Sequence, residues 1–68
     1  MIANDQELQT TLERIVWFQK QVVQLRKTEN NPVNYRGAVS GFLAEIDRMQ
    51  LEVREYFSFL PNEKVGAA

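Results

Sequence analysis

The sequence predicts an all-α protein: a two-helix antiparallel hairpin that assembles into a helical bundle, most simply a dimeric four-helix bundle. Three observations support this prediction. An apolar seam repeats every 3.5 residues through the second half of the chain, which is typical of a coiled coil. A broader apolar stripe of helical period occupies the first half. One short polar segment that ends in a proline separates the two patterns.

The first predicted helix runs from about residue 5 to residue 27. Asn4 and Glu7 have the spacing of a capping box at its start. Ile2 or Ala3 is placed to pack back on Leu8 as a hydrophobic staple. The apolar stripe consists of Leu8, Leu12, Ile15, Phe18, Val22 and Leu25, and Val16 and Val23 widen it. A stripe of this width is typical of a helix that meets more than one neighbour.

The second predicted helix runs from about residue 32 to residue 60. Asn31 is a candidate N-cap, Pro32 suits the first helical turn, and Pro61 is expected to end the helix just after Leu60. Its seam consists of Tyr35, Val39, Phe42, Ile46, Met49, Val53, Tyr56 and Leu60, spaced alternately four and three residues apart. This strict repeat indicates a long helix wound against other helices.

The chain is expected to form one domain over residues 1–68, with residues 62–68 as a frayed tail. Two helices alone rarely bury enough apolar surface to offset the entropy of ordering the chain. We therefore expect a homo-oligomer, either a dimer or a tetramer. The residues predicted to form the self-association interface come from both apolar patterns: Leu12, Ile15, Val22, Phe42, Ile46, Met49 and Val53.

The composition argues against catalysis and against cofactors. The chain has no cysteine and no histidine, so it lacks a thiol nucleophile and an imidazole base or metal ligand. Eight basic and nine acidic residues nearly cancel, which makes a nucleic-acid-binding surface an unfavoured interpretation. No apolar run approaches the roughly 18 residues of a membrane span. The expectation is a cytoplasmic protein that is not an enzyme and does not enter a membrane.

The acidic residues of the second half raise the possibility of a carboxylate metal site. Glu45 and Glu52 lie two helical turns apart, but the Glu-x-x-His element of di-iron bundles is missing. Arg48 and Arg54 are placed to offset the acidic side chains. We expect a solvated, salt-bridged side of the helix and no metal site.

A second interface is predicted outside the seam. Trp17 lies about half a helical turn from the apolar stripe of the first helix, either folded flat on its own helix or in contact with a partner. Gly37, Gly41 and Ala44 form a small-residue stripe that Leu51 continues. Either another helix approaches this stripe closely, or residues 33–39 form a loop and the second helix begins only at Ser40.

Two segments resemble known proteins. The start, Met1-Ile2-Ala3-Asn4-Asp5-Gln6-Glu7-Leu8 with Thr11, resembles that of small bacterial antitoxins and regulators, in which a helical leader precedes a helix-turn-helix domain. The segments Asn34-Tyr35-Arg36 and Gly41 to Tyr56 are similar to an uncharacterised family of short bacterial helical-hairpin proteins. The second resemblance implies no activity. The first implies a protein partner only, because a DNA-binding domain is not expected in a chain of this length.

The predicted function is therefore that of a non-catalytic module for protein–protein interaction and oligomerisation. One alternative is an antitoxin-like partner of a small toxin protein. A second alternative is a small nucleic-acid-binding regulator, for which the basic side chains are too dispersed to form an obvious surface.

Overall fold

A computed structural model describes residues 1–60 of the chain and contains two helices in that range. Helix α1 spans Asp5–Thr28 and helix α2 spans Pro32–Phe57. A three-residue connection turns the chain so that the helices pack antiparallel as a layer with extents of 49 × 20 × 12 Å. The all-α helical hairpin predicted from the sequence is confirmed. The tail predicted at residues 62–68 lies outside the described residues.

The start of α1 is fixed by the predicted capping box. Asn4 has extended backbone angles, and its Oδ1 accepts a hydrogen bond of 2.8 Å from the Glu7 N–H. The Glu7 carboxylate accepts from the N–H of Ala3, also at 2.8 Å, which is one residue before the N-cap N–H that a capping box uses. Ile2 is buried, and Leu8 packs against the same core. Of the two residues predicted for the staple, Ile2 therefore enters the core.

Helix α2 begins at Pro32, so the alternative start at Ser40 is wrong. Residues 33–39 are helical throughout. The Asn31 side chain accepts from the N–H groups of Val33 and Asn34, and proline in the first turn already has the backbone angle that a helix needs. Glycines inside a helix each cost about 1 kcal/mol relative to alanine, but the cap and the packing of the seam offset this cost.

Helix α2 ends at Phe57, three residues before the predicted end at Leu60. The N–H of Ser58 donates to the carbonyl three residues back at 3.2 Å, and its hydroxyl donates to the Arg54 carbonyl at 2.9 Å. These bonds complete the last turn, and Leu60 lies outside the helix with an exposed side chain. A proline disfavours helical backbone angles in the residue that precedes it. Pro61 in the sequence therefore disfavours a helix that continues to Leu60, in agreement with this earlier end.

The core lies between the seam of α2 and the stripe of α1. Its buried side chains are all apolar: Ile2, Ile15, Val39, Ile46, Met49 and Val53. Partly buried residues from both patterns pack around them, and the rings of Phe18 and Phe42 meet with centroids 5.7 Å apart. Among the described residues, no polar or charged side chain is buried. The two sequence patterns are therefore the two sides of one apolar contact.

Met49 is only 3% exposed, so truncating it should destabilise the hairpin. We expect Met49→Ala to lower the free energy of unfolding by about 2–5 kcal/mol, through lost burial and the cavity left behind. Urea unfolding followed by circular dichroism measures this change. The matched control is Leu51→Ala on the exposed side of the same helix, which should change stability by about 0.5 kcal/mol or less. Equal losses in both variants would contradict the described packing.

Candidate interaction surfaces

The seven residues predicted for self-association lie in the contact between α1 and α2 of one chain. Four of them are buried there and three are half-buried, so in this conformation they hold a single hairpin together. The buried four are Ile15, Ile46, Met49 and Val53, and the half-buried three are Leu12, Val22 and Phe42. A second chain would therefore find its largest apolar contacts on side chains beside this core.

A layer of two helices has two broad faces, and one of them is charged. In this antiparallel pair, the residues that immediately precede Leu8, Ile15 and Val22 on α1 and Val39, Ile46 and Val53 on α2 lie toward the same face. We call this the charged face: Glu7, Arg14 and Gln21 on α1, and Ala38, Glu45 and Glu52 on α2. Arg48 lies next to it and binds both glutamates, with its Nη1 2.7 Å from Glu52 Oε2.

The pairing with Arg48 lowers the pKa of Glu45, chiefly through the hydrogen bond from the guanidinium and then through its charge. The charge of Arg14 on α1 adds a weaker effect of the same sign. The contribution of this pairing to stability is present at neutral pH and is lost as the pH falls through the lowered pKa. Because the groups are exposed, the contribution is small.

No group of three or more potential metal ligands occurs among residues 1–60. The glutamates that the sequence offered for a carboxylate metal site, Glu45 and Glu52, are instead engaged by Arg48. The arrangement is that of an ion-pair network along one side of a helix.

The opposite broad face carries exposed apolar side chains. It is formed by the residues that follow Leu8, Ile15 and Val22 on α1 (Gln9, Val16 and Val23) and by those that follow Tyr35, Phe42, Met49 and Tyr56 on α2 (Arg36, Leu43, Gln50 and Phe57). We call this the apolar face. Its hydrophobic members are Val16, 48% exposed, Val23, 49%, Leu43, 46%, and Phe57, 64%. Val16 and Val23 thus widen the apolar stripe as predicted from the sequence, but within one chain they remain uncovered.

The outer surfaces of the helices hold the residues predicted for a second interface. Trp17 is 54% exposed, and its ring meets the adjacent ring of Phe18 edge-on, with centroids 5.1 Å apart. On α2, a Cβ added at Gly37 or Gly41 would meet no atom of the described residues within 4 Å. Ala44 is exposed and Leu51 is 55% exposed. These five positions share exposure, and nothing within the described hairpin requires the two glycines.

A hydrogen bond closes the end of the hairpin opposite the connection. The Tyr56 hydroxyl donates to Asp5 Oδ1 at 2.6 Å, between residues 51 positions apart. This bond to a carboxylate holds the phenolic proton, so the pKa of Tyr56 is raised, with smaller contributions from desolvation and the charge of Asp5. The helical patterns of the sequence did not predict this contact, because it depends on how the two helices align in the folded hairpin.

Beside this hydrogen bond lies a partly open groove of about 510 Å³. Its lining includes Ile2, Glu52, Tyr56 and Phe59, which come from both ends of the described chain. The groove could not be predicted from the helical patterns, because Ile2 precedes α1 and Phe59 follows α2. It combines apolar walls with the carboxylates of Glu52 and Glu55.

Comparison with protein-family models, curated proteins and solved structures found no match to this chain. None of the helices within residues 1–60 combines the length and the apolar character that crossing a membrane requires.

The hydrogen bond between Tyr56 and Asp5 can be tested by titration. In a Tyr35→Phe background, in which Tyr56 is the remaining tyrosine, its phenol should ionise above the usual value of about 10. Asp5→Ala should lower this pKa toward 10, as measured by the ultraviolet absorbance of tyrosinate. The stability that the bond provides should be present below pH 10 and lost as the pH rises through the raised pKa.

The control for this titration is Asp47→Ala, which removes a carboxylate elsewhere on α2 and should leave the Tyr56 pKa unchanged. An unchanged pKa in Asp5→Ala would show that the two ends of the hairpin do not meet in this way.

Proposed function

We propose that this chain is a non-catalytic protein–protein interaction module whose first partner is a second copy of itself. The observation that carries the proposal is the distribution of apolar side chains. Within residues 1–60, ten large hydrophobic side chains are exposed and only six hydrophobic residues are buried. Extended exposed apolar surface on a small protein marks an interaction site.

The shape of the hairpin supports self-association. Stable domains usually consist of two packed layers around one core, but this hairpin is a single layer with a minimum extent of 12 Å. Among residues 1–60 the most buried side chain, Met49, is still 3% exposed, so no large side chain is fully enclosed by the hairpin. Small chains commonly gain stability by oligomerising. Stacking two hairpins would supply the missing second layer.

The side-chain inventory supports a non-catalytic role. The sequence has no cysteine or histidine to act as nucleophile, base or soft metal ligand. Its two neighbouring glutamates on α2, Glu45 and Glu52, are held by Arg48 in exposed ion pairs. A general acid or base needs a shifted pKa in a concave site, and the shift at Glu45 comes from an exposed ion pair.

Heterologous binding is the second candidate function, with an antitoxin-like role toward a small toxin protein as its specific form. The half-exposed Trp17 favours it, because tryptophan is enriched among residues that anchor interfaces. The open backbone at Gly37 and Gly41 favours it as well, since glycine lets another helix approach closely. Both features lie outside the apolar face, so such a partner could bind a hairpin that has already self-associated.

Self-association and folding should be one equilibrium. We expect the wild-type chain to scatter light as a dimer or tetramer and to lose helicity on dilution only as it dissociates. Ile46→Asp places a charge at a buried position and should abolish assembly and helicity together. The control is Leu51→Asp at an exposed position, which should preserve both. A folded, monomeric Ile46→Asp variant would contradict the coupling.

The heterologous candidate predicts a separate effect of Trp17. If a small toxin-like protein is encoded beside this gene, co-expression should yield a complex that Trp17→Ala disrupts. The variant should keep the wild-type oligomeric mass and melting temperature, because the ring lies outside the core. Val33→Ala, at another exposed position, is the control and should retain the complex. A complex unaffected by Trp17→Ala would remove Trp17 from the binding surface.

A further inference from the structure

We infer that the second copy docks on the apolar face, so that two hairpins stack face to face as a symmetric, two-layer four-helix bundle. The inference rests on the proposed self-association and adds the surface that mediates it. This surface differs from the seven core residues that the sequence predicted for the interface, because those residues already hold the two helices of one chain together.

The two broad faces differ in the desolvation free energy that a partner would have to overcome to cover them. The charged face presents Glu7, Arg14, Glu45 and Glu52, and Arg48 already binds the last two of these. A partner on this face would have to desolvate ion pairs, which often costs more than it returns. Among its seven positions the apolar face carries one charged residue, Arg36, at the end of the layer nearest the connection, and Asp47 and Arg54, which follow the core residues Ile46 and Val53, lie at its border. Covering its centre removes hydrophobic surface from water and buries no unpaired charge.

The register of the helices locates the centre of the apolar face. The ring contact between Phe18 and Phe42 fixes the relative height of α1 and α2 near the middle of the layer. Val16 lies two residues before Phe18, and Leu43 directly follows Phe42, so the two side chains lie at similar heights on the two helices. Val23 extends the patch toward the connection. The exposed valines and leucine thus form one continuous strip across both helices.

The composition of the apolar face suits a second copy as its occupant. A symmetric dimer brings the same surface of both chains together, so that any charge near the axis would meet its own image. This face has no charge near its centre. Its polar members, Gln9 and Gln50, carry both hydrogen-bond donors and acceptors, so identical amides can pair with each other. The layer measures 49 × 20 Å, enough for the roughly 800 Å² per partner that a stable dimer buries.

Matched glutamate substitutions on α2 test this surface. Leu43→Glu on the apolar face, 46% exposed, should weaken dimerisation by roughly 100-fold or more, because it buries an unpaired charge at the centre of the interface. Leu51→Glu, 55% exposed on the outer surface, should leave it unchanged. Sedimentation or light scattering across a dilution series, with helicity followed alongside, measures the dissociation constants.

The outcomes separate the two proposals. A wild-type chain that is monomeric at every concentration would overturn the proposed self-association itself. A wild-type dimer that Leu43→Glu leaves intact, or that only Leu51→Glu dissociates, would overturn the docking surface and leave self-association standing.

Cross-linking provides a second measurement in case Leu43→Glu fails to fold. The chain has no cysteine, so a single introduced thiol is unique. Val16→Cys and Leu43→Cys lie near the centre of the apolar face and should form covalent dimers with a short bismaleimide. Their controls on the charged face, Arg14→Cys and Ala38→Cys, should remain single chains. Cross-linking only through the charged face, or through neither face, would overturn the inference.

Discussion

The apolar core between α1 and α2 holds the described structure together. Ile15 and Ile46 lie near the middle of this core, and Met49 and Val53 extend it toward the end where Tyr56 meets Asp5. Isolated helices are marginal in water, and most helical stability in proteins comes from packing one apolar side against a neighbour. The caps at Asn4 and Asn31 determine where each helix begins, and the packing of the core stabilises the two helices against each other.

The core positions also determine which residues lie on the charged face and which lie on the apolar face. Once the core positions are fixed, the residues that precede Ile15 and Ile46 and the residues that follow Ile15 and Phe42 fall on opposite broad faces. The preceding residues include Arg14 and Glu45, and the following residues include Val16 and Leu43. The ion pairs and the exposed hydrophobic side chains are therefore separated by the geometry of antiparallel packing. A one-residue change of register would rotate the side chains of a helix by about 100° and bring charged residues such as Arg14 or Glu45 into the core.

Much of the fold could be predicted because its signals are local. The capping box at Asn4 and the proline turn at Asn31 set both helix starts from side chains within three residues of each cap. The end of α2 was less predictable, since Ser58 completes the last turn before the proline is reached. The contact of Asp5 with Tyr56 spans 51 positions, and it depends on the register of the completed hairpin.

The predicted association residues show a different limit. A repeat of 3.5 residues indicates that a helix packs against a helix, but it carries no information on whether the neighbour belongs to the same chain. In the described hairpin, the first neighbour of Ile46 and Met49 is α1 of the same chain. The surface left over for other molecules depends on residues such as Leu43, which the repeat alone does not mark as exposed.

The same contacts between α1 and α2 would form within one chain or between two chains, and this has a consequence for the connection between the helices. Three residues keep α2 at a high effective concentration near its own α1, and so favour the closed hairpin over pairing with another molecule. An exchange of α2 between two copies would conserve the contacts between seam and stripe and would change only residues 29–31. The length and stiffness of this short segment thus decide between closed hairpins and domain-swapped dimers with the same core.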